Sequence, residues 1–225
     1  MKESVNIEKK STEVRIPIGG SIYLEGNLDI PEGTRGIVVF VHGSGSSRHS
    51  PRNQYVAQEL QKNGLATLLF DLLTIEEERV DMLTRELRFD IELLSKRLIE
   101  TTGWLLSRPD TKELNLGYFG ASTGAAAALI AAKEHSDTVK AIVSRGGRPD
   151  LAGAALIYVK APTLFIVGGK DTQVIELNQW ALDRMVIPEK ELKIVPGATH
   201  LFEEKGALEE VSRLADTWFK KYLLD

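Results

Sequence analysis

The run Ile37-Val38-Val39-Phe40-Val41 offers no polar position in either phase of a strand. A strand apolar on both faces must be covered on both. That is the condition of a parallel strand inside a layered α/β domain. Further short apolar runs follow at 66–70, 116–119, 139–143, 163–167 and 192–195. Between them the apolar residues recur at helical spacing. Pro51, at a favoured first-turn position, opens a helix to about Lys62, and Gly64 stops it. An acidic, exposed stretch at 75–80 precedes Leu83, Leu87, Ile91, Leu94, Leu98 and Leu105, which predict one long helix to about Ser107, ended by Pro109. Helices are also predicted at 123–135, 150–158, 174–185 and 208–222, the last with Val211, Leu214, Trp218 and Tyr222 along one face. Strand and helix in alternation give a mostly parallel sheet with helices on both faces. Right-handed crossovers then gather the loops that follow the strands on one edge, where ligand sites of such sheets lie.

Ahead of this core, Val14, Ile16 and Ile18 alternate, Gly19-Gly20 turns the chain, and Ile22 and Leu24 alternate again. The pattern predicts an opening β-hairpin, and Pro17 places its strand at a sheet edge. Residues 1–11 read as a polar N-terminal arm and 12–225 as a single domain, within the size range of α/β folds. The net charge of −4 lacks the basic excess of a nucleic-acid binder. The absence of cysteine excludes disulfides, thiolate catalysis and thiolate metal sites. Met1 to Asn6 lack the apolar core of a signal peptide, and the apolar stretch 124–132 is far too short to span a bilayer. These features predict a cytoplasmic protein with no nucleic-acid or membrane partner, monomeric or homodimeric.

The segment that carries chemistry is Gly120-Ala121-Ser122-Thr123-Gly124, a G-x-S-x-G pattern between a predicted strand and a predicted helix. The turn is so tight that its neighbours must be nearly without side chains, hence Gly120 and Gly124. A serine hydroxyl needs a base within hydrogen-bond reach, and that base needs a third group to fix its tautomer. Two downstream residues fall after strands in the required order: Asp171, closing Gly168-Gly169-Lys170-Asp171, and His200, closing Pro196-Gly197-Ala198-Thr199-His200. Asp183 competes weakly with Asp171, since it lies within a predicted helix. His135 lies at a helix end, where a cation suits the helix dipole. Acyl transfer also needs two N–H donors for the developing oxyanion. Thr123 supplies one, and the loop His42-Gly43-Ser44-Gly45-Ser46 supplies the other, expected at Ser44. His42 is expected to hold the shape of that loop.

On these segments the chain resembles the dienelactone hydrolase branch of the α/β-hydrolase superfamily over nearly its whole length. The most specific pieces are the loop 42–48, the elbow Gly117-Tyr118-Phe119-Gly120-Ala121-Ser122-Thr123-Gly124, the segment Ser144-Arg145-Gly146-Gly147-Arg148-Pro149-Asp150, and Val167-Gly168-Gly169-Lys170-Asp171. Similar sequences occur alone and as domains joined to phosphoribosyltransferases; no phosphoribosyltransferase motif is visible here. Dienelactone hydrolases proper use a cysteine nucleophile, and this chain has Ser122 instead. The resemblance therefore implies an α/β-hydrolase fold and hydrolysis of small esters or lactones through an acyl-serine, without metal or organic cofactor. It does not imply a particular dienelactone. Thioester cleavage, acyl transfer, amide hydrolysis and a non-catalytic small-molecule binder remain open on the same residues.

Arg145 and Arg148 follow the strand at 139–143, so they lie near the same edge. Each can anchor an acidic substrate through paired hydrogen bonds or pin its loop to Asp150 or Asp171. Arg48 is open to the same two readings. Asp71 and Thr74 close another strand there, and Asp71 can line the pocket or cap a turn. No large insertion follows the strand at 139–143, so no helical lid domain is expected. Only the acidic segment 74–84 can partly cover the site, which predicts an open, shallow pocket.

Overall fold

The computed structural model describes residues 11–224. The proposed N-terminal arm lies almost wholly outside them. Eight strands form one sheet: β1 (Thr12–Pro17), β2 (Tyr23–Asp29), β3 (Gly36–Val41), β4 (Ala66–Phe70), β5 (Asn115–Ala121), β6 (Val139–Arg145), β7 (Thr163–Gly168) and β8 (Lys190–Val195). Their spatial order is β1-β2-β4-β3-β5-β6-β7-β8. β1 pairs antiparallel with β2, and β2 with β4; every other neighbouring pair is parallel. The hairpin is where the alternation put it, and Pro17 sits on the outermost strand, where its missing N–H removes no ladder bond from a central pair. Gly19 and Gly20 turn it with φ of +88° and +54°.

Among the described residues there are six α-helices, α1 (Pro51–Lys62), α2 (Ile75–Thr84), α3 (Ile91–Ser107), α4 (Thr123–Glu134), α5 (Thr172–Arg184) and α6 (Ala207–Leu223), of which α1 and α3 to α6 pack on the sheet. One face packs Leu94, Leu98 and Leu105 of α3, the alanines of α4 and Ala181 of α5 against Val39, Tyr118 and Phe165. The other packs Val56 and Leu60 of α1 and Val211, Trp218 and Phe219 of α6 against Phe40, Phe119 and Ile166. β3, β5, β6 and β7 are therefore buried on both faces, which explains their mainly apolar runs, broken in β6 by exposed Lys140. From β3 the chain moves outward to β4, then returns to β5 on the opposite flank of β3. The loops after β3 and β5 thus diverge at a topological switch point, and the gap between them is where such sheets place ligands.

Two sequence expectations change. The single helix from Leu83 to Ser107 is broken: α2 ends at Arg85, which adopts φ +59°, a 3₁₀ turn covers Leu87–Phe89, and α3 starts behind Asp90. Asp81 holds the break, accepting from the Arg88 backbone N–H at 3.0 Å and its Nε at 2.6 Å. The spacing misled because Leu83, counted as a core residue, is 88% exposed. The predicted helix at 150–158 is a 3₁₀ segment, Pro149–Tyr158, interrupted at Gly153.

Candidate active site

Ser122 stands between the last residue of β5 and the first of α4, with φ 50° and ψ −123°. A non-glycine residue in that region is strained, and such strain persists only where the surroundings over-determine it. They do so here. A Cβ at Gly120 would lie 2.5 Å from the Ala125 Cα, and one at Gly124 would overlap the Val41 carbonyl. The loop after β3 also closes in: a Cβ at Gly43 would lie 2.9 Å from the Ser122 Cβ.

Asp171 and His200 meet. The His200 Nδ1–H donates to Asp171 Oδ2 at 2.6 Å, a charge-assisted length. That bond fixes the tautomer and leaves Nε2 as the free acceptor. The two loops are tied by their backbones, with the Lys170 N–H donating to the Ala198 carbonyl at 2.9 Å and the Gly169 N–H to that of Val195 at 2.8 Å. The Asp171 side chain is 16% exposed and that of His200 41%, so the carboxylate is shielded while the imidazole reaches solvent.

Ser122 and His200 flank one turn. The Ser122 N–H points to the Arg145 carbonyl at 3.4 Å, the Arg148 N–H donates to the Ser122 carbonyl at 3.0 Å, and a Cβ at Gly146 would lie 3.5 Å from the His200 ring. Buried Asn178 steadies this turn by donating to the Gly147 carbonyl at 3.0 Å, a role no sequence pattern signals. Among the described residues Ser122 Oγ makes no hydrogen bond to His200.

Ser44 and Thr123 also come together, though not as two open amides. The Ser44 N–H donates to Thr123 Oγ1 at 3.0 Å. His42 is buried beneath the loop. Its Nδ1–H donates to the Gly43 carbonyl at 2.9 Å, and its Nε2 accepts from the Leu72 N–H at 3.1 Å. Burial holds its pKa below the ordinary value, against the opposing pull of Asp71 and Glu78. The neutral ring therefore staples the loop after β3 to the end of β4. The segment after β4 forms a partial cover: Arg88 Nη1 would lie 3.1 Å from a Cβ at Gly45, and the space beneath is lined by Ser44, Ser46, Leu72, Leu73 and Leu94.

The arginines separate into two kinds. Arg48 is bound to Asp71, its backbone N–H donating to Oδ1 at 2.7 Å and its Nη1 to Oδ2. Arg148 forks onto Asp150 at 2.9 and 2.8 Å, which raises its pKa. Both are loop pins. Arg145, which could have pinned its loop to Asp150 or Asp171, pairs with neither. Its guanidinium is buried, donates to Asn53 Oδ1 at 3.3 Å and lies 5.9 Å from the Phe202 ring centre. Burial, with neighbouring Arg52 adding to it, lowers its pKa to about 10. Phe202, itself buried at φ 56°, was invisible to sequence reasoning. Thr74 caps α2 in a reciprocal box with Glu77 rather than facing the site. Among the described residues no three His, Cys, Asp or Glu side chains converge to hold a metal, and no helix is long and apolar enough to cross a membrane.

The comparisons agree on kinship. A model of the dienelactone hydrolase family matches residues 24–222. The crystal structure of dienelactone hydrolase from Anabaena variabilis is 59% identical with a TM-score of 0.93, covering 95% of this chain and 98% of that one. Relatives from two strains of Mycobacterium tuberculosis, provisionally named phosphoribosyl transferase, are 60% identical over 215 residues. That match covers 95% of this chain and 47% of theirs, so the chain spans about half the length of these curated relatives. Est1E from Butyrivibrio proteoclasticus, 16% identical with a TM-score of 0.77 over 94% of this chain and 98% of that one, shares the fold. With the family model spanning the sheet from β2 to the last turn of α6, the chain belongs to the dienelactone hydrolase family.

Proposed function

We propose that the chain is a serine hydrolase that cleaves small carboxylic esters or lactones. The observation that supports it best is the 2.6 Å His200–Asp171 pair, set beside a serine held at φ 50°. In this reading Ser122 attacks the ester carbonyl while His200 Nε2 takes its proton. Asp171 stabilises the imidazolium that forms. The Thr123 amide, free at the first position of α4, donates to the tetrahedral oxyanion. His200 then returns the proton to the leaving alcohol, and the same base activates water to release the acid. Side chains and backbone amides suffice, so the mechanism calls on no metal or organic cofactor.

The nucleophile is serine where dienelactone hydrolases proper carry cysteine. The substrate is therefore assigned only as a small ester or lactone. Ser122→Ala tests the assignment. Turnover of p-nitrophenyl acetate should fall by a factor on the order of 10⁶, as when one member of a triad is removed. A fluorophosphonate probe should add its mass to the parent at Ser122 and leave the variant unmodified. Parent-rate hydrolysis by Ser122→Ala would refute the reading, and a folded parent inert to the probe would favour a binding protein.

A further inference from the structure

The amide that sequence reasoning assigned to the oxyanion is already engaged: the Ser44 N–H donates to Thr123 Oγ1 at 3.0 Å. Thr123 directly follows the proposed nucleophile, is 3% exposed and opens α4. A threonine hydroxyl has two acceptor lone pairs and one donor hydrogen. One lone pair is used by Ser44. Among the described residues the hydroxyl hydrogen finds no protein acceptor, so it stays available. Thr123 thus carries two donors on one residue, its helix-first amide and a hydroxyl polarised by an incoming N–H. Hydrogen bonds in such a chain strengthen one another. The arrangement is braced on the loop side, where His42 ties the Gly43 carbonyl to the Leu72 amide and Gly43 presses against Ser122.

We propose that the Thr123 side chain is a catalytic residue: its hydroxyl donates to the oxyanion alongside the Thr123 amide, and Ser44 acts through it. The inference rests on Ser122 being the nucleophile. No proton changes owner in this step. The hydroxyl keeps its hydrogen while the oxyanion forms and collapses, and the bond strengthens only while the charge is present. Such differential binding lowers the barrier without tightening the ground state.

The test compares Thr123→Val, which keeps the shape and removes the hydroxyl, with Thr123→Ser, which keeps the hydroxyl. Thr123→Val should lower kcat by about 10²–10³, the usual cost of one lost oxyanion donor. KM should stay within about threefold, as for a contact made only in the transition state. Thr123→Ser should recover most of the rate. Affinity for a trifluoromethyl ketone, which forms the tetrahedral adduct, should fall in parallel with kcat, while thermal midpoints stay close to the parent. A Thr123→Val enzyme at parental kcat with Ser122 still essential would return the donor role to the Ser44 amide and overturn this inference alone. Equal impairment of the serine variant, or a rate loss that tracks a loss of thermal stability, would also overturn it.

Discussion

At Ser122 the backbone is held in a conformation that a free chain avoids, and the residues that enforce it contribute nothing but their smallness. Gly120 and Gly124 leave the space that α4 and the β3 carbonyls fill. This much was legible, because a tight strand-to-helix turn demands small neighbours and those neighbours appear in the sequence. That Ser122, Asp171 and His200 each follow a strand of one sheet was also legible. The bond from the Ser44 amide to Thr123 was not, because the approach of two loops is decided by packing across the switch point and leaves no local pattern. Nor was the pairing of buried Arg145 with Asn53 of α1, which depends on which face of β6 its side chain occupies. Asp171 provides a residue-scale prediction. Asp171→Asn preserves the side chain's shape but favours the wrong tautomer of His200. By analogy with other triads kcat should fall by about 10⁴. Circular dichroism melts should stay near the parent's, and a variant with near-parental kcat would remove Asp171 from the mechanism.

Among the elements, the inner strands β3 to β7 matched their sequence signals because burial on both faces leaves a mainly apolar run, and α4 matched because its alanines are buried all round. The segment between β4 and β5 did not. Its leucine spacing suggested one helix, yet Thr74 and Glu77 box the start of α2, Arg85 ends it, and Asp90 caps α3 through the Leu93 N–H at 3.0 Å. These caps are local and visible. The apolar periodicity outweighed them because exposed leucines such as Leu83 count the same as buried ones on paper. The staple between the β3 loop and β4 yields a pH prediction. The folded pKa of His42 lies below its ordinary value, so the unfolded chain binds the proton more readily. The neutral staple therefore contributes in full above about pH 6.5, the ordinary histidine pKa. Its contribution is lost as pH falls from there toward the folded value, with a slope of at most about 1.4 kcal/mol per pH unit. Asp71 and Glu78 oppose the shift without reversing it. In urea unfolding, parent stability should exceed that of His42→Gln most at pH 7.5, and the gap should narrow on acidification to pH 5.5. A gap independent of pH would show that His42 is not held as the neutral ring.

On the scale of the whole molecule, the proposed nucleophile and the clamp of α6 occupy different ends of the same strand. β5 delivers Ser122 at its carboxyl end, while its amino half is clamped by α6. A Cβ at Gly117 would lie 2.8 Å from Phe219 Cε1. The end of α6 is held by Asn115 Nδ2, which donates to the Leu223 carbonyl at 2.9 Å, and by Arg35 bound to the Leu224 carbonyl. An apolar face on α6 was readable from its spacing, but its docking against two glycines of β3 and β5 was not, since Gly36 and Gly117 have no side chain to signal a partner. Phe219 is fully buried, and Phe219→Ala leaves a cavity over a strand that cannot collapse to fill it. The expected loss is about 3–5 kcal/mol of unfolding free energy, read from the shift of the urea midpoint at constant m-value. Gly117 precedes Ser122 by five residues of extended chain, on the order of 16 Å at the rise of a strand. The elbow, held by its own glycines and by the β3 loop, should keep its geometry in the molecules that remain folded. With active sites counted by fluorophosphonate titration well below the melting range, kcat/KM per labelled site should match the parent. A fall in kcat/KM per site comparable to the fall in stability would mean that α6 sets the strain at Ser122 directly, and that the two ends of β5 are coupled.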